Sequence, residues 1–363
     1  MRRERELLKR KTAALLAAGL LMLSGCGQTT DPSDEAADSS VSQTVDVSIA
    51  EQNSMTKEDE KEDEAAEPSE SLPAMPEVPV NTQAEDMDYD MSDGIDPANA
   101  ADRCCSDGEK IYLAYGRPDL YIMQVGANEH SRMNLDNPEE LLVCNVTLDP
   151  HGKLHLLMVS QDNEQWMIWR LDQEGQVEEK LDISAYIETK FMPRWFLVVE
   201  DGTYLLQWVL ERNGILVDSD GALKHSFTPQ SLGVSWTYET AVGRDGRIYF
   251  AYGEGDDTIR IGEFDMENFV IKKDDSSLTF SRDEIFAEMS GGTDTNLLLY
   301  SHYSGIWAYD REEGILENRV PLGDIKFDSG MESCPLAFLP DGRLILIGRG
   351  SGKCHIKYIP AGR

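Results

Sequence analysis

The sequence predicts an all-β chain: a β-propeller of six blades, with seven or eight as the alternatives, behind a disordered N-terminal tether. Three observations carry this. First, a short polar turn ending in Gly recurs ahead of alternating apolar residues. Clear copies are Gly243-Arg244-Asp245-Gly246-Arg247-Ile248-Tyr249-Phe250 and Leu339-Pro340-Asp341-Gly342-Arg343-Leu344-Ile345-Leu346. Second, these turns fall at Asp107-Gly108, His151-Gly152, Asp201-Gly202, Asp245-Gly246, a degenerate copy near Gly292, and Asp341-Gly342. They are roughly 44 to 50 residues apart, a period at which propeller blades repeat. Third, each interval divides into four short strands bounded by Gly, Asp and Pro, the pattern of successive hairpins.

The chain begins with a basic segment, Arg2, Arg3, Arg5, Lys9, Arg10 and Lys11, followed by an apolar run from Thr12 to Met22. That run is too short to span a bilayer comfortably and reads as a secretory signal. Leu23-Ser24-Gly25-Cys26 resembles the lipobox of bacterial lipoproteins. The resemblance implies cleavage before Cys26, removal of residues 1–25, and a diacylglycerol thioether on Cys26. Several acyl chains at about 0.8 kcal/mol per buried methylene make a stable anchor. The implied location is the outer face of the cytoplasmic membrane.

Residues 26–100 read as a spacer. From Gly27 the chain is rich in Asp, Glu, Ser, Thr, Ala and Pro, with the acidic run Glu58 to Glu64. Such a segment buries too little apolar surface to offset its ordering entropy. Met75-Pro76-Glu77-Val78-Pro79-Val80 is more apolar, and residues 76–83 are the candidate for a strand that closes the ring. Residues 101–363 are the propeller. Blade two is typical: strands Leu142 to Leu148, Leu154 to Val159, Trp166 to Leu171 and Val177 to Ile183, with turns at Asp149-Pro150-His151-Gly152 and Asp172-Gln173-Glu174-Gly175. Blade six lacks a fourth strand of its own, hence the expectation that an N-terminal segment supplies it. Helix is expected only as a turn or two at Ile183 to Thr189 and Asp283 to Met289.

The whole layout resembles the propeller lipoproteins of Gram-positive anaerobes. Some of these join a propeller to the solute-binding domain of an ABC importer. The present chain ends at Tyr358-Ile359-Pro360-Ala361-Gly362-Arg363 without such a domain, so the resemblance implies an accessory or truncated relative at most.

Charge and motifs exclude much chemistry. The formal charge is −34; about +4 lies in residues 1–26, about −19 in 27–100 and about −19 in 101–363. An acidic chain repels nucleic acid. No C-x-x-C, H-E-x-x-H or G-x-S-x-G occurs, and Asp218-Ser219-Asp220-Gly221 lacks the bidentate Glu of a calcium loop. No cofactor, metal or catalytic residue is implied, and the expectation is a monomer. Cys104, Cys105, Cys144, Cys334 and Cys354 read as buried thiols, with one bridge between blades one and six as the alternative.

The Asp-Gly turns share one face of the ring and read as scaffold. The opposite face carries the second-to-third-strand loops and the blade connectors. Its candidate recognition groups are Arg117, Asp119, Arg194, Trp195, Arg212, Trp236, Tyr238, Tyr252, Asp256, Asp257, His302, Tyr303, Arg349 and Lys353. Aromatic, Arg and Asp side chains around a funnel mouth suit a glycan, a peptide or a surface protein. Packing between blades is the alternative for Trp195 and Trp236. A non-enzymatic binding module is thus the first expectation; a cell-surface glycan hydrolase or lyase, needing two convergent carboxylates, is another.

Overall fold

The structure is a computed structural model. It describes residues 85–89, 96–100, 103–128, 130–172, 174–199, 201–208, 213–255, 258–273, 280–281, 286–291, 296–325, 332–350 and 353–361. These form six antiparallel sheets in a six-bladed propeller.

The first strand in the chain, β1 (Glu85–Tyr89), belongs to the last blade. Blade one is β2 (Cys104–Ser106), β3 (Lys110–Leu113), β4 (Leu120–Gln124) and β5 (His130–Met133). Blade two is β6 (Leu142–Leu148), β7 (Leu154–Val159), β8 (Trp166–Leu171) and β9 (Val177–Asp182). Blade three is β10 (Trp195–Val198), β11 (Tyr204–Gln207), β12 (Gly214–Val217) and β13 (Leu223–Phe227). Blade four is β14 (Trp236–Val242), β15 (Ile248–Gly253), β16 (Thr258–Asp265) and β17 (Val270–Lys272), with the short β18 (Phe280–Ser281) beside β16. Blade five is β19 (Phe286–Ser290), β20 (Asn296–Ser301), β21 (Gly305–Asp310) and β22 (Ile315–Pro321). Blade six is β23 (Glu332–Phe338), β24 (Arg343–Gly350) and β25 (Lys353–Pro360), completed by β1.

The closing strand pairs Glu85 with Tyr358 and Tyr89 with Cys354. It differs in place from the sequence expectation: residues 76–83 lie outside the described residues, and the strand is Glu85–Tyr89. An edge strand needs only one apolar face, and alternation gives it that. Tyr89 is buried, Met87 is half-buried and Asp88 points to solvent, where it meets His355 Nδ1 at 2.5 Å. The Val-Pro content of residues 76–83 was a weaker cue than this period of two.

Of the two short helical expectations, one holds and the other changes. Ile183 to Thr189 contains one 3₁₀ turn, Ser184–Tyr186. Phe286–Ser290 is a strand, although Ala287, Glu288 and Met289 are good helix formers. Blade five needs an innermost strand there, and tertiary pairing overrides propensity.

The hydrophobic core lies between neighbouring sheets. Trp166, Phe196, Tyr204 and Trp208 fill the gap between blades two and three. Phe227, Phe250, Tyr252 and Phe264 fill the next. Tyr121 and Tyr358 join blades one and six. Each such side chain contributes about 1.5–3 kcal/mol by leaving water. The five cysteines of the propeller carry thiols rather than a disulfide; Cys144 and Cys354 are buried and the other three half-buried.

The turns behave as local chemistry requires. In the first hairpins, the Asp Oδ1 accepts from backbone N–H groups two to four residues on: Asp107 from Glu109 at 2.9 Å, Asp149 from His151 and Lys153 at 2.8 Å, and Asp201 from Thr203 at 2.8 Å. The other oxygen binds a side chain: Asp107 accepts from Tyr112 at 2.8 Å and Asp245 from Tyr249 at 2.7 Å, while Asp341 takes Arg343 Nε at 2.8 Å. The turn Gly follows with positive φ, 75° at Gly246, where other residues are strained.

Candidate functional site

The innermost strands β2, β6, β10, β14, β19 and β23 surround a cavity of about 300 Å³ on the ring axis. Outside blade five, whose first turn falls partly beyond the described residues, each innermost strand runs from the blade connector to its acidic, Gly-ended turn. Residues that start a strand therefore sit at the connector end of the cavity, and turn residues sit at the other end.

The turn end is occupied by the protein's own contacts. Arg244 in the blade-four turn donates to the Pro340 carbonyl in the blade-six turn, reaching past the blade between them. Asp149 faces His155, with Oδ2 and Nε2 3.4 Å apart, and His155 Nδ1 lies 2.9 Å from the Tyr204 hydroxyl of blade three. Burial pushes the Asp149 carboxyl up. The His155 bond and the N–H groups of Lys153 and His151 outweigh this and hold it below the usual carboxylate value. Burial raises the Tyr204 hydroxyl to about 12.

The connector end holds a different arrangement. Arg194 Nη2 contacts Glu239 Oε1 at 2.8 Å, and Trp195 Nε1 donates to Glu239 Oε2 at 3.1 Å. The Arg194 guanidinium also lies over the Trp195 ring, 5.0 Å from its centroid. The Glu239 side chain is 4% exposed and that of Arg194 23%. A buried carboxylate thus holds an arginine at the rim.

Supporting residues fix each member. In β14 the register passes from Thr237↔Tyr252 to Thr240↔Phe250, so Tyr238 and Glu239 together oppose one partner residue. That is a β-bulge, which re-aims side chains. Gln207 of blade three clamps it: Nε2 donates to Thr237 Oγ1 at 2.6 Å, and Oε1 accepts from Thr240 Oγ1 at 2.9 Å. Asn145, beside a register shift in β6, donates to the Pro193 and Arg194 carbonyls at 3.4 and 3.1 Å. Trp208 Nε1 donates to the Phe191 carbonyl at 2.8 Å. The segment 191–195 is therefore pinned at its backbone, yet Phe191 is 45% exposed and Met192 is also exposed.

The recognition groups expected from sequence divide. Arg194 and Trp195 line the cavity, and Trp195 also packs against the core between blades three and four. Arg117 and Asp119 lie on the blade-one loop, away from the array: Arg117 reaches the Tyr121 hydroxyl at 3.3 Å, and Asp119 meets Arg132 at 3.6 Å. Trp236 is half-buried with its ring edge-on to Tyr238, opposite Gly253, where an added Cβ would meet the indole at 2.1 Å. His302 and Tyr303 tip the blade-five hairpin; Tyr303 is 66% exposed. Tyr252 is fully buried between blades three and four, because its alternate position on β15 faces the inter-sheet core and not the mouth. Arg349 lies near the end of β24 and Lys353 opens β25, paired at the tip of the blade-six hairpin, and their side chains are not among those described. Cys26, Arg212, Asp256 and Asp257 lie outside the described residues.

Glu239, Asn145 and Gln207 were not singled out from sequence. Their available signal was a lone charged or amide residue inside an otherwise apolar or Thr-bearing strand. No group of three or more His, Cys, Asp and Glu side chains among the described residues is arranged to hold a metal ion.

No protein-family model matches the chain, and no curated protein matches it. Among solved structures, it is similar to virginiamycin B lyase from Staphylococcus aureus, in an inactive variant with quinupristin. That match has 12% identity over 70% of this chain and 79% of that one, TM-score 0.45. It is also similar to an oligogalacturonate lyase in complex with manganese, at 11% identity over 70% and 75%, TM-score 0.44. PorZ, a surface component of the type-IX secretion system of Porphyromonas gingivalis, matches at 11% identity over 73% of this chain and 33% of that one, TM-score 0.43. At this likeness the chemistry of those proteins does not carry over.

Proposed function

We propose that the chain is a non-enzymatic binding module, lipid-anchored through Cys26 on the outer face of the membrane, which recognises a ligand or surface partner with its connector face. One observation carries the reading: the Arg194–Glu239–Trp195 array at the open end of the axial cavity, preorganised by Asn145, Gln207 and Trp208 beside exposed Phe191. Binding sites concentrate a few placed polar groups among apolar ones in clefts of about 300–1,000 Å³. Hydrolysis of a glycosidic bond would ask for two available carboxylates. Glu239 is buried in its pair with Arg194, and Asp149 is engaged by His155 at the far end. Both therefore support binding over turnover.

The test is a glycan and peptide array probed with the full chain. A ligand should be found whose binding is lost in Phe191→Ala and unchanged in Arg247→Ala, an exposed position on the turn side. Loss in Arg247→Ala with Phe191→Ala indifferent, or no binding above background, overturns the reading. The anchor is tested separately: Cys26→Ala should move the protein from the membrane fraction to the medium, and unchanged retention sinks it.

A further inference from the structure

Two arginines from different blades stand at the connector segment 191–195 that leads into the axial cavity. Arg103, just ahead of β2, has Nη1 3.9 Å from Met192 Sδ, and its Nη2 donates to the Asn99 carbonyl at 3.0 Å. Arg194 stands two residues beyond Met192, against Glu239 and over Trp195. Glu239 offsets the Arg194 charge. Among the described residues the Arg103 guanidinium contacts a thioether and a backbone carbonyl, both neutral, in a chain of net charge −34. Its charge is also felt in the core between blades two and three: burial pushes the Cys144 thiol up to about 12, and Arg103 acts against that rise. Phe191 and Met192 add an apolar shoulder at the same place.

Resting on the binding reading above, we infer that the connector mouth is a receptor for a carboxylate carried on an apolar group. Arg103 supplies the charge, Arg194 a second guanidinium held in place by Glu239, and Phe191 with Met192 the surface for the apolar part. A guanidinium fork matches a carboxylate in shape and charge and binds it through paired N–H donors. One cation with neutral contacts matches the single charge of a carboxylate better than the double charge of a phosphate. The acid can come from a small organic molecule or from the C-terminus of a peptide, since both present the same group.

The experiment is isothermal titration of the full chain with N-acetyl-L-phenylalanine and with its amide, and with a pentapeptide ending in Phe as free acid and as amide. The free acids should bind at least about tenfold tighter than the amides, with affinity falling as salt is raised. Arg103→Gln should bring acid and amide within about twofold, while Arg103→Lys keeps the salt dependence and loses part of the affinity. Tighter binding of the small acid points to that source, and tighter binding of the peptide to the other; both uphold the inference. Equal binding of acid and amide, binding of neither, or discrimination unchanged in a folded Arg103→Gln protein overturns it. An array ligand lost in Phe191→Ala, alongside indifference to carboxylates, removes this inference and leaves the binding reading standing.

Discussion

The two ends of the ring are built from similar residues put to different uses. At the turn end, Asp107, Asp149, Asp201, Asp245 and Asp341 each accept bonds from their own hairpin, and Arg244 reaches across to Pro340. At the connector end, Arg194 is held by a carboxylate from the next blade and remains partly exposed, with Phe191, Met192 and Tyr303 toward solvent. A protein with this many acids could have been read as a collection of acidic sites. The contrast teaches that recurring acids next to Gly are hairpin chemistry, while one acid buried away from any turn marks a built site.

The contrast breaks most sharply at Glu239. Glu239→Ala strands Arg194 beside a desolvated wall and removes the acceptor of Trp195 Nε1, and should cost about 3–5 kcal/mol in urea unfolding. A loss under about 1 kcal/mol would place the array among ordinary rim contacts. Gly291→Ala tests the ring itself. Gly291 bridges Gly243 between the innermost strands of blades five and four, and an added Cβ would meet the Val242 carbonyl at 2.3 Å. Forcing those strands apart should cost about 1–3 kcal/mol by thermal melting.

Asp149 sharpens the turn-end half through pH. Its folded pKa lies below its unfolded value of about 3.9, so its contribution is complete above that value and is lost as pH falls through the folded one. Urea midpoints between pH 6 and pH 2 should fall more steeply for the wild type than for Asp149→Asn; parallel slopes would remove Asp149 from the account. The smallest expected effect on stability is at the exposed shoulder: Phe191→Ala should stay within about 0.5 kcal/mol of wild type while abolishing ligand binding. A large destabilisation there would make Phe191 a packing residue.

Much of the fold was legible because its signals are local. Turn Asp and Gly, and strand alternation, act within about five residues, so the hairpins could be placed by reading along the chain. The closing strand was harder, since Glu85–Tyr89 pairs with residues at the far end of the sequence and displays only Met87 and Tyr89 as apolar cues. Arg194 and Trp195 were legible as an Arg-aromatic step in a connector. The burial of Tyr252 is not legible along the chain, because the facing of β15 depends on its neighbours and not on its own residues.

The sequence by itself determined the repeating hairpin and the scaffold role of the acidic turns, because each hairpin is satisfied by groups a few bonds apart. The tertiary structure decided the site. Trp195 and Glu239 are 44 residues apart, Asn145 and Arg194 49, and His155 and Tyr204 49. Each separation is about one blade, so these pairs meet only when successive sheets stack around the axis. The bulge at Tyr238 and Glu239 then turns the carboxylate to Arg194 and Trp195.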